Sequence, residues 1–116
     1  MTYSPVDSGL AQELRRGTLV LAVLSALDNA EMCGSHLRVV LLEAGLAIDD
    51  GALYPMLRRL EAQGLLTSER RSEASRMKRF YSSSNDGRVA QRSLLAQWHA
   101  LAQSVTHLNG EADGRT

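Results

Sequence analysis

Apolar residues return every three or four positions along most of the chain, and that period marks out its elements. Leu10, Leu14, Gly17, Leu21 and Leu24 follow a 4-3-4-3 spacing while Val20, Val23 and Leu27 fill a second face, which predicts one helix with apolar groups on more than one side. Such a helix must be covered twice. Gly34 opens a second helix, with Leu37, Val40, Leu41 and Ala44 at i, i+3, i+4 and i+7, and Gly45 closes it where helices commonly turn left-handed. Asp49 is placed to cap a third helix, Ile48 and Leu53 to staple its entry, and Gly64 to stop it. The core stripe of this helix is Leu53, Met56, Leu57 and Leu60. Its opposite side carries Tyr54 and Arg58 one turn apart with Arg59 beside them, side chains free to reach a ligand. Pro55 falls near the sixth helical position, where it removes the bond to the carbonyl of Gly51 at a cost of about 3 kcal/mol and is expected to bend the first turn away from the rest.

After Gly64 the period shortens. "LLTSERRSEASRMKRFYSSS" reads as two short strands around a small polar stretch from Ser72 to Ser75, a hairpin. Ser84 then caps a long helix in which Leu94, Trp98, Leu101, Val105 and Leu108 again space 4-3-4-3, a seam narrow enough for a helix–helix interface. The tail "NGEADGRT" has no apolar residue except alanine. The chain divides accordingly into a flexible N-terminus at 1–8, a helical domain with a hairpin at 9–83, a C-terminal helix at 84–108 and a disordered tail at 109–116. At 116 residues it is one domain with one core, small enough that self-association would help bury its surface.

Composition adds mostly exclusions. A hydrophobic content of 44% and a charged content of 22% are those of an ordinary folded protein. No apolar run approaches the roughly 18 residues that span a bilayer. No basic segment followed by an apolar stretch opens the chain, so no secretion signal is expected. The single cysteine, Cys33, has no intramolecular disulfide partner and reads as a packed thiol in a reducing cytoplasm. His36, His99 and His107 are scattered, and no metal site or cofactor is expected. Neither a Ser/His/Asp set, paired carboxylates nor a glycine-rich phosphate loop is present, which points away from an enzyme.

Charge changes the picture more. The formal net charge is zero, yet residues 1–50 carry three Arg against seven Asp/Glu, a net of −4, and residues 51–92 carry nine Lys/Arg against four Asp/Glu, a net of +5. The middle third is a basic module of the kind that meets phosphates. Arg70, Arg71, Arg76, Lys78 and Arg79 all lie on the hairpin.

Helix, helix, turn, helix, basic hairpin, long helix is the layout of a winged helix-turn-helix: mainly α with a small β wing, extended by a long C-terminal dimerisation helix. In such modules the third helix enters the major groove and the wing meets backbone or minor groove. The bend at Pro55 would then aim Tyr54, and the turn around Asp50 and Gly51, at the groove. The competing class is a winged-helix module that docks a protein and not DNA, but such a wing has no need of five cations.

The residues also resemble a known family, the PadR-like transcriptional regulators, and most of all its short members with a single C-terminal helix. "GALYPMLRRLEAQGLL" resembles the family's recognition helix, "RGTLVLAVL" its opening helix, and "KRFYSSSNDG" its second wing strand and the turn into the last helix, the likeness running from Leu14 to Leu108. Ser35 stands where the family usually has an aromatic residue, Ser83 and Ser84 where it has an apolar residue and threonine, and Ala74 with Ser75 where a glycine is common. The resemblance implies a homodimeric DNA-binding repressor whose last helix packs on the first helix of the other subunit. Two-fold symmetry implies a pseudo-palindromic operator. Trp98, on the seam of the last helix, reads as an apolar anchor at that interface. Some short members of the family bind planar hydrophobic effectors between such tryptophans, and Leu94, Leu101 and Val105 would then line the site.

Overall fold

The computed structural model describes residues 5–110. The elements run α1 (Pro5–Arg16), α2 (Thr18–Ala26), β1 (Met32–Cys33), α3 (Gly34–Glu43), α4 (Asp50–Ala62), β2 (Leu66–Glu73), β3 (Arg76–Ser83) and α5 (Asn85–Leu108). The architecture is a winged helix-turn-helix with a long C-terminal helix, its antiparallel strands ordered β1-β3-β2.

Local chemistry sets most of the boundaries. The Asp49 carboxylate accepts the Ala52 N–H at 2.9 Å and starts α4 where expected. At the end of α3, Gly45 has φ +86° and the Leu46 N–H returns to the Leu41 carbonyl at 2.8 Å, which closes the helix by a left-handed turn. Ser84 caps α5 by accepting the Gly87 N–H at 3.0 Å, and its hydroxyl donates to the Gly64 carbonyl at 2.6 Å, so the end of α4 and the start of α5 share one joint. Gly87 makes that joint close: a Cβ there would overlap the Leu65 carbonyl. Ser83 is buried, its N–H bonded to the Leu27 carbonyl at 3.2 Å and its hydroxyl to that of Leu24 at 3.3 Å.

The core lies between α2, α3, α4 and the inner end of the sheet, with Leu24, Leu27, Leu37, Leu53, Leu57, Leu60 and Leu66 fully buried. Of the expected staple, Leu53 belongs to it and Ile48 packs against it. From this head α5 projects as an arm. The radius of gyration is 17.0 Å, against about 13 Å for a compact chain of this length. The first turns of α5 touch the head, through Ala90 and Leu94 on the core, Gln91 on Ser25, and Arg88 on Asp28.

Several expectations change. The single first helix is two, divided at Gly17, the poorest helix former in the stretch; its φ of −69° and ψ of −28° remain helical, so the division is slight. Residues 1–4 lie outside the described residues, but the segment 5–8, assigned to a flexible terminus, is helical, proline being pre-set for a first helical turn. Of the expected tail, 111–116 also lies outside the described residues, while Asn109 caps α5. The hairpin strands reach Glu73 and Arg76 and leave a loop of only Ala74 and Ser75, with φ of 53° and 68°. Two positive φ values are the pattern of a type I′ turn, whose twist matches the strands. β1 was not anticipated: two residues pair with Phe80 and Tyr81 of β3, nearly fifty positions away. One expectation holds: α4 starts before Pro55 and continues through it. Pro55 and Gly51 are both exposed, so water reaches the carbonyl that proline leaves without a donor.

Candidate nucleic-acid interface

Pairing between β2 and β3 sorts the five wing cations onto two faces. Arg70 stands opposite Arg79, Arg71 opposite Lys78, and Glu73 opposite Arg76. Since side chains alternate along a strand, Arg70 and Arg79 share the face that carries Leu66, Ser68 and Tyr81, while Arg71, Arg76 and Lys78 share the other with Glu69, Glu73 and Phe80.

The second face is largely self-neutralised. Arg71 pairs with Glu31 and, at 3.9 Å, with Glu69, and its guanidinium lies 4.2 Å over the Phe80 ring. Lys78 pairs with Glu73 at 3.0 Å. These contacts tie the wing to the loop before β1 and to itself. Arg76, at the turn, is exposed, and among the described residues no acid pairs with it.

The first face meets α4. The Ser68 hydroxyl donates to Glu61 Oε2 at 2.7 Å and accepts from Arg79 Nη1 at 2.9 Å. Glu61 is thereby engaged by the wing, and among the described residues no ion pair joins it to Arg58 three positions before it. Arg58, Arg59 and Arg70 are exposed, and among the described residues no acid pairs with them. Burial pushes the Tyr81 phenol above its ordinary value and Glu61 adds to this, whereas Arg79 and Arg58 pull it down. Arginines from α4 and from β3 thus act on one group, where the helix and the wing adjoin.

Tyr54 is not free as expected. Its ring lies against Gly34, so closely that a Cβ on Gly34 would overlap it, and it packs on the core. The half-buried ring fills a notch between α3 and α4. A helical wheel shows that Tyr54 is off the leucine stripe, but not that a glycine on the neighbouring helix leaves room for it. Glu61 and Ser68 were also missed, because nothing local marks a bond between a helix and a strand. Cys33 is buried as the N-cap of α3, its Sγ 3.4 Å from the Ser35 hydroxyl.

On the arm, Leu94, Trp98, Leu101 and Val105 line one open groove of about 770 Å³, whose other wall is Leu14, Gly17, Thr18 and Leu21 of the α1–α2 segment. Trp98 is 43% exposed and Leu101 65%. No helix among the described residues is long and apolar enough to cross a membrane.

Known proteins share this arrangement. A model of the transcriptional regulator PadR-like family matches residues 23–93. Over 79 residues, 68% of this chain and 74% of the relative, the sequence is 38% identical to transcriptional regulator Rv3488 of Mycobacterium tuberculosis. A PadR family transcriptional regulator from Eggerthella lenta DSM 2243 superposes with a TM-score of 0.84 at 41% identity, over 89% of this chain and 91% of that one. A Streptococcus transcriptional regulator superposes at 0.75 with 27% identity, over 83% and 96%. With most of the head and the start of the arm inside the family match, the chain belongs to the PadR-like family of transcriptional regulators, which are not enzymes.

Proposed function

We propose that the protein is a homodimeric repressor, acting in the cytoplasm, that binds a pseudo-palindromic operator with α4 in the major groove and the wing on the sugar–phosphate backbone. The observation that carries this reading is the convergence of unneutralised arginines from two elements, Arg58 and Arg59 on α4 and Arg70, Arg76 and Arg79 on the wing, in a chain whose net charge is zero. Arg58 and its neighbours on α4 face base edges; the wing arginines meet phosphates. Tyr54 acts by filling the notch at Gly34, and Arg71 and Lys78 by holding the wing.

The arms form the dimer. Leu14 on α1 and Leu101, Val105 and Leu108 on α5 are more than half exposed, an apolar surface of the kind that an isologous partner covers. The groove beside Trp98 supports a second element, a planar apolar effector that releases the operator by favouring another spacing of the two α4 helices.

Fluorescence anisotropy on DNA from upstream of the protein's own gene, at several salt concentrations, tests the central reading. Binding should be tight at low salt and weaken linearly in log–log form; no binding, or no salt dependence, would sink it. Unchanged Trp98 emission across a panel of planar aromatics would remove the effector.

A further inference from the structure

We propose that Arg70 and Arg79 form a two-arginine contact for one phosphate group of duplex DNA, and that Ser68 and Glu61 are the positioning residues that aim it. The assignment rests on the DNA-binding reading above and narrows the wing's five cations to the pair that acts together.

Arg70 and Arg79 are direct cross-strand neighbours of like charge, an arrangement that is destabilising unless an anion lies between them. Among the described residues no acid pairs directly with either: both hairpin acids, Glu69 and Glu73, point from the opposite face, where Arg71 and Lys78 take them, and Glu61 of α4 reaches Arg79 only through the Ser68 hydroxyl. A phosphodiester supplies what is missing, a singly charged group with two unbridged oxygens that match guanidinium forks.

The relay behind Arg79 fixes its aim. A serine hydroxyl has one proton; here it goes to Glu61, which leaves the oxygen lone pairs to accept from Arg79. The arrangement therefore has one sense. Glu61 belongs to α4, so the guanidinium is held relative to the helix that reads bases, not merely relative to its own strand. Because the carboxylate is one hydroxyl removed, Arg79 spends a single N–H on the relay and keeps the other donors for the ligand.

The experiment is the salt dependence of binding to duplex from upstream of the protein's own gene, measured by anisotropy on the full chain, with circular dichroism to establish folding. Arg70→Gln and Arg79→Gln should each weaken binding, and the double variant, which frees the one shared phosphate, should lower the slope of log K against log salt by about one. Arg71→Gln should leave the slope unchanged. Ser68→Ala should cost about tenfold in affinity, Ser68→Thr should restore it, and Ser68→Ala should cost nothing further in an Arg79→Gln background. Glu61→Ala serves as the second removal of the relay, with the same expected tenfold loss. Wild-type binding with silent Ser68→Ala and Glu61→Ala variants, or an Arg71→Gln slope change equal to that of the Arg70→Gln/Arg79→Gln double variant, overturns this assignment alone. Absence of wild-type binding at low salt overturns the DNA-binding reading and the assignment with it.

Discussion

The head, from α2 to β3, and the arm, formed by α1 and the outer turns of α5, use the same leucine-rich spacing with opposite results. In the head, Leu53 and Leu57 have no exposed surface; on the arm, Leu14 and Leu108 are 80% and 83% exposed. Periodicity says which residues share a face. It does not say what covers that face, and in the arm no described residue covers it.

Breaking the head should have the largest effect. Leu57→Ala, which empties a fully buried position, should cost about 2–5 kcal/mol in denaturant unfolding, enough to unfold much of the population of a domain this size. The arm should fail differently: Leu101→Asp should leave the head folded by circular dichroism but convert the proposed dimer to monomer in sedimentation equilibrium, with a loss of about 2 kcal/mol or more in association. If that variant instead unfolds cooperatively with the head, the division into two regions is wrong. At the wing turn, replacing Ala74 and Ser75 by the Asn-Gly pair that type I′ turns prefer should raise stability by about 1 kcal/mol or more, since both residues now hold positive φ without glycine.

The smallest effect is a pH dependence confined to the head. Tyr81 has its folded pKa raised, by burial first and Glu61 second, above the ordinary value of 10.0. The unfolded chain loses this proton first as pH rises, so the contribution is full below about pH 10 and fades as pH climbs through the folded value. Tyr81→Phe should flatten that alkaline decline in thermal melts and leave neutral-pH behaviour nearly unchanged.

What could be read from the residues follows the same division. Caps and stops were legible at Asp49, Gly45, Gly64 and Ser84 because each acts on backbone within a few positions. The long α5 was legible because its apolar spacing repeats from Leu94 to Leu108. β1 was hidden, since a two-residue strand exists only by virtue of a distant partner. Arg71 and Lys78 looked equivalent to Arg70 and Arg79 along the chain; only the register, which sets alternate residues on opposite faces, separates them. Tyr54 looked outward for the same reason, because what receives it is the missing side chain of Gly34.

The joint between α4 and α5 has a mechanical consequence. Gly87 lets α5 touch the Leu65 carbonyl, and Ser84 bonds to Gly64 and Leu65 across the same point, so there is no slack for a hinge. An α5 of 24 residues is a lever roughly 36 Å long. In the proposed dimer, two such levers clasped along their lengths would act as a pair of dividers: the angle at which they cross would set how far apart their two points stand on the duplex. The span between operator half-sites is then a ruler for the crossing angle, and a methyl group added at Gly87 would reset the instrument without touching a single base contact.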